Sequence, residues 1–194
     1  MTTSTAKNKL TGSIRLFGNL RVMIVSGLFI ALSIVLGKFM QIPVGDNIRI
    51  SLENTPVIMS GFFFGPFIGG AVGAAADLIG CLLKGYAINP VITIGAFTIG
   101  FSSGLFAALL KKAPRLTAVI ASVASSHVLG SVIIKSLGLR LYYGTPYSVL
   151  AWRIPTYAAI GIVDVIVIYM LISNKAFSAQ LDKLRRSGGR SQNG

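Results

Sequence analysis

The chain has 194 residues, of which 53% are apolar and only 12% charged, with 22 glycines. That balance describes a polytopic helical membrane protein and excludes an ordinary soluble domain. The net charge of +13 would point to nucleic acid in a soluble protein, but the basic residues cluster between and beyond apolar runs, where they read as topology signals and not as a nucleic-acid surface.

Residues 1–21 form a polar, basic tail (Lys7, Lys9, Arg15, Arg21) expected on the cytoplasmic side. The first apolar run lacks an A-x-A-like cleavage site and is followed by further apolar runs, so it is read as a retained span from Val22 to Phe39. Lys38 can snorkel from its end to the interface. Gly27 and Ala31 on this span form a small-x-x-x-small pair, which allows another helix to dock closely. In the loop from Met40 to Glu53, the alternating stretch Asn47 to Leu52 predicts an extended, folded cap.

Asn54, Thr55 and Pro56 read as a helix start, a capping side chain followed by a proline in the first turn. The second span is short and stops at Phe64-Gly65-Pro66-Phe67. The third, from Phe67 to Lys84, is rich in glycine and alanine that permit close helix approach. It also carries Cys81, the only cysteine, which rules out an intrachain disulfide and a cysteine metal cluster. Asn89-Pro90 repeats the cap-plus-proline start for a fourth span to Leu110. The basic loop 111–115 comes next, then a fifth span from Thr117 to Leu137, a tyrosine-rich loop from Gly138 to Trp152, a sixth span from Arg153 to Ser173, and the basic tail 174–194. Three basic clusters on one side require an even number of spans between them. The expected architecture is therefore an all-α bundle of six transmembrane helices over 22–173, with both termini cytoplasmic.

In that topology Pro56, Pro90 and Pro155 each stand in the first turn of a helix that starts on the outer side, where helix N-termini offer amide donors to an anion. Arg49, Lys84, Lys135, Arg140 and Arg153 lie on the same side, against the usual charge bias, and an anionic ligand is the simplest reason for them. Asp77, about 10 Å below Lys84 along its helix, is either the floor of an outward-open pocket or a structural carboxylate paired with a lysine or arginine. Glu53 either caps the second helix or binds ligand. His127 and Asp164, at similar depth on successive helices, are read as partners of each other. Tyr86, Tyr142, Tyr143, Tyr147, Trp152 and Tyr157 suit the interfacial belt, with Trp152 and Tyr157 also placed to stack on a flat ligand.

The stretch ISLENTPVIMSGFFFGPFIGGAVGAAADLIG, followed by KGYAINP and later by WRIPTY, resembles the substrate-binding S components of bacterial energy-coupling factor (ECF) vitamin transporters, most closely the folate-specific branch. The resemblance covers nearly the whole chain. Its first-helix motif is usually Ala-x-x-x-Ala, and here Gly27 stands for the first alanine. The resemblance implies a multi-pass protein of the bacterial cell membrane that captures folate outside. It would deliver the vitamin with a transmembrane coupling T component and two ATP-binding-cassette ATPases. No Walker motif occurs in this chain, so it is expected to be no enzyme and to need no cofactor.

Folate chemistry then assigns roles. Asp77 and Asn89 would bind the pterin and Trp152 and Tyr157 would pack on it, while Lys84, Lys135 and Arg153 would meet the glutamate carboxylates. Glu53, Asn54, Tyr86 and His127 complete the candidate set, and Gly27 with Ala31 form the partner-docking face. The competing readings are an S component for another vitamin, such as a pterin precursor or pantothenate, and an intramembrane enzyme using Asp77, His127 and Asp164. A self-sufficient secondary transporter or channel is a third, although no convincing repeat is visible.

Overall fold

The computed structural model describes residues 18–44, 48–180 and 183, with only the backbone described at 42–44 and 48–50. The basic residues Lys7, Lys9 and Arg15, most of the C-terminal tail, Asn47 and the side chain of Arg49 lie outside the described part. Helix α1 (Leu20–Ile34) opens on Asn19, whose side chain accepts from the Arg21 amide at 3.1 Å, and continues without a break into a π-helical turn at Val35–Phe39. A small antiparallel hairpin comes after it, β1 (Ile42–Val44) against β2 (Ile48–Ile50), with Pro43 opposite Arg49. The alternating segment thus forms the folded cap that its period predicts.

Helices α2 (Asn54–Phe64), α3 (Pro66–Lys84) and α4 (Pro90–Leu109) come next. Between α2 and α3 there is one residue, Gly65, at φ +98°, a conformation that side chains with a Cβ rarely adopt. Pro66 then starts α3, as proline at a first helical position does. Asn89 caps α4 as expected, accepting from the amides of Val91 (3.0 Å) and Ile92 (3.3 Å). Helix α5 (Arg115–Tyr143) has a π-helical middle, Ser126–Ile134, and α6 (Tyr147–Ser173) ends the bundle.

Five of these helices, all but α2, are long and apolar enough to cross a membrane. At 1.5 Å per residue, α2 reaches only about 16 Å, roughly half of a hydrocarbon core. Every residue of α2 except Phe62 is buried, so it serves as the central post of the bundle. Glycines make that packing possible: a Cβ added at Gly61 would lie 2.1 Å from the Gly100 carbonyl oxygen, and one at Gly100 would lie 2.0 Å from that of Gly69. Backbones of α2, α3 and α4 therefore touch directly at this level. By contrast α6 buries only Ile160, Asp164 and Ile168, a stripe at four-residue spacing whose flanks are left to lipid.

Two sequence expectations need correction. The tyrosine-rich stretch is not a long loop, because α5 runs on to Tyr143 and stops at Gly144 (φ +61°), and α6 begins at Tyr147. Pro155 consequently lies inside α6 and not in its first turn. Asn54 does not cap α2, since Glu53 occupies the cap position with no side-chain capping bond. The amide of Asn54 instead donates across the bundle to Ser131 Oγ at 3.2 Å.

Candidate functional site

The short length of α2 decides where the site sits. From the Gly65 turn, α2 and α3 run alongside each other, and at 1.5 Å per residue Asn54 and Asp77 both stand about 15–17 Å from it. Glu53 is therefore not at an end of the bundle, as its place at a helix start suggests, but level with Asp77. The hydroxyl of Ser33, six residues below the end of the first span, donates to the Glu53 carbonyl at 2.7 Å, in keeping with that depth. Glu53 is pressed against the first helix, where a Cβ on Gly37 would come within 2.6 Å of the Glu53 Cβ.

Around this level lies a small, tight cavity of about 20 Å³, room for little more than a water molecule and far below the roughly 300–1,000 Å³ of ligand sites, so a vitamin-sized ligand has to spread its walls. Ser33, Ile34 and Lys38 line it from α1 and its π turn, and Glu53, Asn54 and Val57 from the start of α2. Gly73, Ala76 and Asp77 come from α3, Ala96 from α4 and Lys135 from α5. Two of its cations owe their aim to π-helical turns: Lys38 lies within one, and Lys135 directly succeeds the other. Each π turn delays the helix by a residue and re-aims the side chains beyond it, a feature frequent at functional sites.

Four charges share the pocket. Lys135 is almost fully buried and donates to Glu53 Oε1 at 3.2 Å. Lys38 adds a second positive charge near the same carboxylate, so Glu53 does not rest on Lys135 alone. Asp77 accepts from the Thr93 hydroxyl through Oδ2 at 2.7 Å. Among the described residues no hydrogen bond engages its other oxygen, and no carboxylate stands within ion-pairing distance of Lys38. A ligand that offers donors to Asp77 and an acceptor or anion to the lysines would complete this set.

Beside the pocket runs a buried polar chain. Asn54 bonds Ser131, whose hydroxyl lies 3.5 Å from His127 Nδ1. His127 Nε2 meets Asp164 Oδ2 at 2.7 Å, and Thr55 Oγ1 donates to Asp164 Oδ1. His127 and Asp164 thus pair with each other, as their matching depths predict, and the chain ties the start of α2 to α5 and α6. Arg153 caps it, donating to the Ser131 carbonyl at 2.9 Å with its guanidinium 5.0 Å from the Tyr157 ring centre.

Of the residues singled out from sequence, Glu53, Asn54, Asp77 and Lys135 therefore meet in one pocket, and the others stand elsewhere. The Lys84 ammonium sits 4.3 Å over the Phe39 ring, and Lys38 lies 5.8 Å over Tyr86, so these two contacts lace the C-terminal ends of the first span and α3. Besides capping α4, Asn89 donates to the Gly138 carbonyl at 3.3 Å. Trp152 is exposed, and the His127 and Tyr157 rings pack at a tilt, 5.4 Å apart, next to the polar chain. Gly27 and Ala31 lie on the open face of α1 with Met23, Ile24 and Leu28. The structure adds Lys38, Thr93, Ser33 and Ser131, which sequence reasoning does not pick out for this site. Thr93 alone carries a usable signal, standing one helical turn after the Asn89 cap of α4.

The profile of the ECF transporter substrate-specific component family matches residues 21–172. A curated protein, the folate transporter FolT of Clostridium novyi (strain NT), is 33% identical over 151 residues, which are 76% of this chain and 86% of that protein. Among solved structures, a crystal structure of FolT bound with folic acid superposes with a TM-score of 0.65 at 28% identity, covering 78% of this chain and 92% of that one. A structure of the S component of a bacterial ECF transporter gives 0.59 at 24% identity over the same shares, a likeness of fold. With five membrane-length helices around a half-length sixth and a polar pocket at mid-depth, this chain belongs to the ECF transporter substrate-specific components.

Proposed function

We propose that the protein is a folate-binding S component that captures the vitamin on the outer side of a bacterial cell membrane. The observation that carries this reading is Asp77: a carboxylate at mid-depth with one oxygen held by Thr93 and the other open to a pocket that also holds two lysines. The 2-amino group and N3–H of a pterin are adjacent donors that such a carboxylate accepts as a pair. Its similarity to FolT and to the folic acid complex points the same way. Lys135 in the pocket and Lys84 and Arg153 nearer the surface are assigned to the glutamate carboxylates. The buried Arg153 Nε, which lacks a hydrogen-bond partner among the described residues, supports its share.

All six helices are counted as passes in this proposal, α2 as a shortened second one, with both termini in the cytoplasm. Transport then needs partners. The exposed apolar face of α1 around Gly27 and Ala31 docks a coupling T component, and two ATP-binding-cassette ATPases supply the energy that a chain without a Walker motif lacks. Trp152, the only tryptophan, is a built-in reporter. Titrating folic acid into the purified protein should quench its fluorescence saturably, and excess pantothenate should not reverse the signal. Displacement by pantothenate, or no saturable response together with no binding by calorimetry, overturns the assignment.

A further inference from the structure

We infer that Lys38 is a specificity-determining residue, donating to the 4-oxo group of the bound pterin and so separating 4-oxo from 4-amino pteridines. This rests on the folate reading above. A pterin edge presents two donors, the 2-amino group and N3–H, and directly beside them one acceptor, the 4-oxo group. Once Asp77 takes the two donors, the site needs a donor placed next to Asp77 or the oxo group is buried without a partner.

Among the polar groups lining the pocket, Lys38 is the donor with no hydrogen-bond partner of its own among the described residues. Ser33 donates to the Glu53 carbonyl, Asn54 to Ser131 and the nearby Thr93 hydroxyl to Asp77 itself, while Lys135 is paired with the Glu53 carboxylate and its remaining N–H groups are assigned to the glutamate end of the ligand. Among the described residues, the contact that Lys38 makes at its ammonium is with the Tyr86 ring, 5.8 Å away. Its position fits as well. The Lys38 Cε lies 2.8 Å from where a Cβ on Gly80 would stand, and Gly80 is one turn above Asp77 on the same face of α3. The lysine stem therefore passes α3 at Gly80, where a methyl would push its end aside, about 5 Å along the helix axis from Asp77. A 4-amino pteridine in the same pose turns a donor toward this ammonium and an unprotonated N3 toward Asp77, so both contacts become repulsive, and the part owed to Lys38 is the part that its removal abolishes.

The test is calorimetric affinity for folic acid and for its 4-amino analogue aminopterin, in wild type, Lys38→Met and Gly80→Ala, each checked for monodispersity in detergent. Wild type should prefer folic acid. Lys38→Met should weaken folic acid about ten-fold or more, the scale of one lost charge-assisted hydrogen bond, and leave aminopterin no weaker, or tighter, because the donor-to-donor repulsion goes with the lysine. Gly80→Ala, which pushes the lysine aside without removing it, should shift the preference in the same direction by less. An equal loss for both ligands in Lys38→Met, or no loss for either, overturns the inference. If wild type binds no folic acid, the folate reading itself fails, which is a different result.

Discussion

Asp164 is the residue whose removal the structure translates most directly into a number. It is fully buried on α6 and accepts from two groups, His127 Nε2 at 2.7 Å and the Thr55 hydroxyl. Asp164→Leu keeps the approximate volume and orphans both. Each buried polar group left without a partner costs about 1–3 kcal/mol, and hydrogen bonds between membrane helices fall toward the low end. The expected loss is therefore about 2–3 kcal/mol, equivalent to a fall of roughly 5–10 °C in Tm for a chain of this size. Heating the detergent-solubilised protein and measuring the monodisperse fraction by size exclusion reads that shift. The sharper measurement is a cycle with His127→Phe. Removing both ends of the pair leaves no orphaned imidazole, so the double variant should be more stable than the summed single losses predict by about 1 kcal/mol or more. If the two losses simply add, His127 and Asp164 are not an energetic unit and the polar chain does not tie α2 to α5 and α6 in the way the geometry implies.

The same geometry sets three further outcomes. Asp77→Asn replaces one acceptor oxygen by a donor facing the pterin donors and should weaken folic acid at least ten-fold by calorimetry while leaving Tm within a few degrees. Gly100→Ala drives a methyl to within 2.0 Å of the Gly69 carbonyl oxygen, a backbone atom that cannot step aside, so it should lower Tm by more than an alanine at the open Gly27 position does. Gly27→Trp should leave folic acid affinity unchanged and abolish ATP-driven uptake in proteoliposomes that contain the coupling protein and ATPases; unchanged uptake would remove the α1 face from the docking surface.

Much of the chemistry that acts locally is legible in the sequence, although the Asn54 cap and the first-turn Pro155 are not where local signals put them. The Asn89-Pro90 start, the Gly65-Pro66 stop and the alternating hairpin segment each depend on neighbours within a few residues, and each is found where those residues place it. Depth and register are what a linear reading misses. Glu53 reads as a rim residue because a helix start ordinarily lies at the interface, but eleven residues of α2 cannot reach it from the Gly65 turn. Lys38 reads as a snorkelling end residue because 3.6-residue counting ignores the π turn around it. The tyrosines at 142, 143 and 147 suggest a loop because their hydroxyls suit water, yet α5 and α6 carry them at exposed helix ends. His127 and Asp164 can be paired from sequence, since two isolated polar groups in lipid have few other partners.

The half-length of α2 also bears on how the membrane potential acts on capture. With the pocket open to the outside as proposed, its charged floor at Asp77 lies about halfway through the hydrocarbon, and water admitted that far carries the outer potential inward with it. Moving one elementary charge across the whole field is worth about 2.3 kcal/mol per 100 mV. An anionic vitamin descending such a vestibule crosses little of that drop, which falls instead over the glycine-packed inner half. Loading is then nearly independent of the cell's energised state, and the electrical work belongs to the later step that opens the inner half.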